Sequence, residues 1–245
     1  MEATSPQLVR STSAEAELAA PFLSLASDHR LSPASLGLIR RLEVMDEHRA
    51  SQTLRLPAGA GRHALVGSGW AARYRLLSDG RRQIISMLLP GDLVQTGGNE
   101  SAEAGLPLTA LTRVRLLNAK PLRTAADEGG PEHESLGQAL AAMQTRSEGR
   151  LVDQIIRLGR QNGLERTAHI FAELHARMTA AGLCERDEFH MPLTQECLAD
   201  VLGLSIVHVN RTLQQLRREG LIRLSHSRVK ILNVGLLHSL ADFGR

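Results

Sequence analysis

Pro192-Leu193-Thr194-Gln195-Glu196-Cys197-Leu198-Ala199-Asp200-Val201-Leu202-Gly203-Leu204-Ser205-Ile206-Val207-His208-Val209-Asn210-Arg211-Thr212-Leu213-Gln214-Gln215-Leu216-Arg217 reads as two short helices around a tight turn. Pro192 marks the approach, and Thr194 is a good N-cap for a first helix running to about Leu202. Gly203 suits the left-handed residue that ends such a helix, with Leu204 tucked into the angle, and Ser205 caps a second helix over 205–219. On that helix Val209, Leu213 and Leu216 make an inward apolar stripe, while Val207, Arg211, Gln214 and Arg218 share the opposite face. Small Ala199 allows the two helices to cross closely. An ordinary helical hairpin would show the same apolar spacing. The residues after the second helix argue for more. Leu221 to Leu224, Ser225-His226-Ser227 and Arg228 to Leu232 read as a small β-hairpin, the wing of a winged helix. From Arg211 to Lys230 the charges are Arg211, Arg217, Arg218, Arg223, Arg228 and Lys230 against Glu219, an excess suited to a phosphate backbone. The pattern predicts a helix-turn-helix DNA reader.

These residues resemble the Crp/Fnr transcription regulators. The resemblance rests on Leu193-Thr194-Gln195-Glu196, Gly203-Leu204-Ser205, Val209-Asn210-Arg211-Thr212-Leu213 and Glu219-Gly220-Leu221-Ile222, and extends more weakly over nearly the whole chain. It implies an α+β protein with an N-terminal β-roll or jelly-roll barrel, a long dimerisation helix and a C-terminal winged helix-turn-helix. The expected divisions are a flexible arm over 1–30, a cyclic-nucleotide-binding-like effector barrel over 31–125, a dimer helix over 130–160 and a DNA-binding domain over 161–245.

By the same resemblance the partners are double-stranded DNA and a second copy of the chain, with RNA polymerase a further candidate and no membrane. Arg211 holds the place of the family's base-reading arginine and would grip guanine in bidentate fashion. The family often has a Glu one turn earlier, where this chain has Val207, which suits a thymine methyl instead. His208 and Gln214 are candidates for backbone or base contacts, and Arg218 shares their surface. Thr194, Gln195 and Ser205 stand where helix N-termini would meet phosphates. The reading from another class is a ligand-sensing or partner-binding dimer whose helix-turn-helix no longer reads DNA.

The rest of the composition is consistent with this. At 245 residues the chain has room for two domains, and its formal charge of +3 leaves the basic excess concentrated near the reader. Aromatics make up only 2%, so base stacking is not the expected mode of binding. No apolar run has membrane length and Met1 to Leu31 lacks a signal pattern, so a cytoplasmic location is expected. Cys184 and Cys197, the two cysteines, have no metal-ligand spacing. With none before Cys184, the N-terminal iron–sulfur sensor of some relatives is not expected, and no cofactor is. Cys197 reads as packed core. No set of side chains resembles a catalytic centre, so the chain is not expected to be an enzyme.

Upstream, residues 1 to about 30 suggest a loose arm with a short helix around Ala14 to Leu25, and Ser32-Pro33 opens a helix with Leu36, Ile39 and Leu42 inward. Strands are expected at 53–59, 70–77, 83–89, 108–111 and 114–117, with turns at Ser78-Asp79-Gly80 and Pro90-Gly91-Asp92. Gly91-Asp92 could supply half of a cyclic-nucleotide pocket. Residues 95–109, however, contain no arginine to pair the cyclic phosphate, which argues against cyclic-AMP binding. Gly97-Gly98 reads as a loop. Leu136, Leu140, Met143, Leu151, Ile155 and Leu158 predict a long amphipathic helix to about Arg160, in the family the dimer seam, with Gly137, Gly149 and Gly159 as possible kinks. A helix over 164–181 comes next, with Ile170, Phe171, Leu174 and Met178 inward. Its His169, Glu173 and His175 read as structural rather than metal-binding. A closing helix over 234–243 is expected to pack on the wing.

Overall fold

A computed structural model describes residues 18–54, 63–95 and 105–244. The chain divides into two compact units, one of Met1–Ala71 with Leu88–Thr145 and one of Ala72–Met87 with Arg146–Arg245. Residues 55–59 of the first expected strand and the Gly97-Gly98 loop lie outside the described residues.

In the first unit a helix over 18–25 (α1) leads through a 3-10 turn at Ser27–His29 to α2, Pro33–Arg40. Ser32 caps α2 as its sequence predicts, its hydroxyl accepting from the Ser35 N–H. Strands β1 (Val44–His48), β2 (Thr53–Leu54), β3 (His63–Ser68), β6 (Leu93–Gln95), β7 (Leu108–Ala110) and β8 (Val114–Asn118) follow, then α3, Lys120–Glu128. The antiparallel sheet runs β1-β8-β3-β6, and β2 pairs with β7. Strands β1, β3 and β6 and helix α3 are additions to the expected set. Val44-Met45-Asp46-Glu47-His48 carries no apolar alternation, and β3 is an apolar run of the kind periodicity cannot assign.

The loose arm needs correction over its described part. Ala19, Phe22 and Ala26 are fully buried and join Ile39, Leu42, Leu65, Leu117, Leu122 and Leu136 in one core cluster. Burial of Phe22 contributes about 1.5–3 kcal/mol of the stabilisation that orders this helix.

The helix α4 runs unbroken from Glu134 to Arg160, through all three of its glycines. Its first turns pack inward. Leu136 and Leu140 belong to the core of the first unit, with Met143 packed on it.

The second unit holds the hairpin β4 (Ala71–Leu76, its first residue grouped with the first unit) and β5 (Arg82–Leu88, its last likewise), turned by Ser78-Asp79-Gly80. Helix α5, Gly163–Ala180, starts on a capping box in which Asn162 and Glu165 bond each other's backbone N–H. It buries Ile170, Phe171, Leu174 and Met178 as expected. Strands β9 (Cys184–Glu185) and β10 (Glu188–His190), helices α6 (Gln195–Leu202) and α7 (Ile206–Arg218), strands β11 (Ile222–Ser225) and β12 (Arg228–Ile231), and α8 (Val234–Ala241) complete it. The wing is larger than its sequence suggests: the sheet order is β11-β12-β10-β9. Helix α8 packs against α5 rather than the wing. Leu237 and Ala241 are buried there, and the His169 and Phe243 rings meet edge to face.

Candidate nucleic-acid interface

The reader forms where the capping signals place it. The Thr194 hydroxyl accepts from the Cys197 N–H at 3.1 Å, and Ser205 accepts from His208 N–H at 3.2 Å. Gly203 has φ 62° and ψ 37°, the left-handed geometry that a Cβ would penalise, and donates its N–H to Ala199 O. Val209, Leu213 and Leu216 are at most 5% exposed. The Thr212 hydroxyl donates to Val209 O and receives the Thr167 hydroxyl at 3.0 Å, tying α7 to α5 inside the core. Cys197 is buried, which pushes its thiol up to about 12.

The last carbonyls of α6 have no helical partners of their own, and side chains from far away in sequence satisfy them. Gln83 Nε2 donates to Asp200 O at 2.8 Å and Val201 O at 3.2 Å. Gln154 Nε2 donates to Val201 O at 3.1 Å, and Arg166 to Leu202 O at 3.2 Å. Arg82 adds an ion pair to the Asp200 carboxylate at 2.6 Å. Sequence reasoning missed this clamp entirely, because nothing local marks a residue whose partner lies tens of positions away, or more than a hundred in the case of Gln83.

On the outward face of α7, Val207 is 71% exposed and Arg211, Gln214 and Arg218 are exposed beside it. Gln195 is exposed and Thr194 accessible at the start of α6, and Ser205 is exposed at the start of α7. His208 stands apart. A Cβ at Gly163 would lie 2.5 Å from its Nε2, so the imidazole rests on the start of α5 beside the reading face. Asn210, which the sequence did not single out, is half-buried on the flank of that face. Exposed Arg217, Arg223 and Arg228 and half-buried Lys230 extend the basic surface to the wing. Glu188 of β10 reduces it: its carboxylate takes the Arg228 Nε at 2.5 Å, and that hydrogen bond holds its pKa below the ordinary value. The two residues at the wing tip, His226 and Ser227, both have positive φ, as a two-residue hairpin turn requires.

His169, Glu173 and His175 serve three separate contacts. His169 Nδ1 lies 3.1 Å from Ala241 O, and burial, then the Arg157 charge, holds the ring below its ordinary pKa. Glu173 takes Arg157 at 2.9 Å and Arg177 at 3.0 Å, while His175 Nε2 is 3.0 Å from Asp187. In the first unit, the Gly91-Asp92 turn has structural work. Asp92 accepts from the Leu89 N–H at 2.7 Å, and a Cβ on Gly91 would fall 2.6 Å from Leu25 of α1. Residues 91–95 and 105–110 supply no cation that could pair a phosphate.

The family pattern for a Crp-like helix-turn-helix domain matches residues 165–240. The nitrogen fixation regulation protein FixK of Rhizobium meliloti (strain 1021) is 30% identical over 184 residues, 72% of this chain and 77% of its own length. The chain belongs to the Crp/Fnr family of transcription regulators. The transcriptional activator protein FnrL of Cereibacter sphaeroides is also 30% identical, over 67% of this chain and 66% of its own length. The structure of FixK2 from Bradyrhizobium japonicum aligns with a TM-score of 0.65 at 28% identity, covering 80% of this chain and 95% of that one. A CRP-family regulator from Thermus thermophilus shares the fold, with a TM-score of 0.57 at 24% identity over 81% and 97% of the two chains. As a Crp/Fnr member the chain is a DNA-binding transcription regulator and not an enzyme. Among the described residues no helix is long and apolar enough to cross a membrane.

Proposed function

We propose that two copies of this chain read a palindromic DNA site, each laying α7 in a major groove, without cyclic AMP. The observation that carries the reading is the solvent-facing row Val207, Arg211, Gln214 and Arg218 on a helix whose opposite side is fully packed. Arg211 would grip a guanine edge and Val207 would meet a thymine methyl. Gln214 and Arg218 would follow the groove, His208 would touch the backbone from the flank, and Thr194, Gln195 and Ser205 would hold phosphates. Two half-sites about one helical turn apart would then match a two-fold dimer.

The seam we assign is narrower than the sequence implied. Val152, Ile155 and Ile156 are 55%, 72% and 49% exposed, an apolar patch at spacings of three and four on α4. Leu151 and Leu158 are half-buried. The barrel over 31–125 would serve as a scaffold for this dimer, and 161–245 as its reader. The dimer would act in the cytoplasm, with RNA polymerase as its further partner. FnrL is named an activator, and activation is the sign we carry to this chain.

Selection of bound duplexes from a random DNA pool by the purified full chain, with no added ligand, tests the reading. Recovery of a palindrome is expected. A pool that stays random until a small-molecule effector is added would show that the barrel is a sensor after all.

A further inference from the structure

Inside the second unit, β5, α4, α5 and α6 enclose a small polar cavity that the reading of DNA does not use. Its walls include Ser86, Arg150, Gln154, Arg157, Glu173 and Arg177, three guanidinium groups against one carboxylate. Arg157 is 3% exposed. One of its terminal nitrogens serves Glu173 and the other serves Gln154 Oε1, but its Nε has no protein partner among the described residues. The Ser86 hydroxyl, on β5, is likewise buried and has no partner among the described residues. A buried guanidinium donor left unmatched is costly, and so is a buried hydroxyl. Both are relieved by the same thing, a negatively charged acceptor.

We propose that this cavity binds a small monovalent anion of halide to nitrate size, held by Arg157 Nε and the Ser86 hydroxyl. Its volume of about 20 Å³ sets the class. That exceeds the roughly 10–15 Å³ that one water-sized group requires, and is far below what a nucleotide would fill. The position has a consequence for the reader. Arg157 holds the Oε1 of Gln154, whose Nε2 caps Val201 of α6, so the anion would brace the seat of the first reader helix.

The test uses the full chain in two measurements. Crystals soaked in sodium bromide should show an anomalous peak within hydrogen-bonding distance of Arg157 Nε and the Ser86 hydroxyl, and nitrate added in competition should weaken it. In solution, thermal unfolding is compared at one ionic strength in sodium bromide and in sodium gluconate, whose anion is too large to enter. With bromide at ten times its Kd, Tm should rise by about 3–5 °C in the unaltered chain. In Ser86→Val, which removes one donor and fills space on a strand that tolerates valine, the rise should vanish. A cavity with no anomalous peak, filled by water alone, overturns the proposal, as does an equal bromide response in both proteins.

Discussion

Glu173→Gln should be among the most damaging single changes in the second unit, although it alters one atom. The carboxylate lies between Arg157 at 2.9 Å and Arg177 at 3.0 Å, and the side chains of Arg157 and Glu173 are 4% and 8% exposed. Burial works to raise the Glu173 pKa, but the Arg157 and then the Arg177 charges outweigh it and hold it below the ordinary 4.5. Glutamine keeps the shape and removes the charge, leaving Arg157 buried without its anionic partner. Breaking a buried pair in this way costs about 3–5 kcal/mol. With a urea slope of roughly 2 kcal/mol/M for a unit of this size, the unfolding midpoint at pH 7 should fall by about 2 M. Far-UV circular dichroism is the right probe, since Trp70, the lone tryptophan, belongs to the other unit.

The pH dependence has a definite sign. A depressed carboxylate pKa contributes stability that is present above 4.5 and is lost as pH falls through the lower folded value. The gap between the two proteins should therefore close on acidification. Replacing both partners, Arg157→Met with Glu173→Leu, should recover part of the loss, because apolar packing then replaces the Arg157 pair while Arg177 still loses the carboxylate. A midpoint shift in Glu173→Gln below about 0.5 M at pH 7 would refute the reasoning.

Burial and exposure set two further outcomes. Cys197, with its thiol pushed up to about 12, should resist alkylation at pH 8 in the folded chain while half-exposed Cys184 reacts, and both should react after unfolding. Thiol counting in native buffer and in urea checks this, and two fast native thiols would contradict it. Ile155→Glu should leave the fold intact, since the side chain is 72% exposed, but weaken self-association roughly 10–100-fold. Sedimentation equilibrium reads the change directly; an unaltered dimer would place the seam elsewhere.

The legible parts of this molecule are those whose physics is local. Thr194, Gly203 and Ser205 mark the ends of α6 and α7 because caps and left-handed turns depend on residues within one helical turn. The Val209, Leu213 and Leu216 stripe orients α7 for the same reason. What escaped is what distance decides. Phe22 lies in an Ala-, Ser- and Glu-rich stretch, and only the core it enters shows why α1 is ordered. Strands β9 and β10 are two and three residues long and turn through Arg186-Asp187, both at positive φ without a glycine to announce it. The α4 pattern reads as one seam, yet Leu136 and Leu140 go inward while Val152, Ile155 and Ile156 face out. A period marks an apolar face, not the partner that covers it. Gln83, Gln154 and Arg166 look like ordinary surface residues until the α6 carbonyls they cap are in view.

Whether α7 reads bases through Arg211 is open to one direct measurement. It is the affinity of the unaltered chain and of Arg211→Ala for every single-base variant of the selected site, at one fixed salt concentration. A reading arginine predicts that the substitution costs about 1–3 kcal/mol on the intact site and erases discrimination at one base position, repeated symmetrically in both half-sites. A uniform loss of affinity with every base preference preserved would make Arg211 a phosphate contact and contradict its assignment as the base-reading arginine of α7.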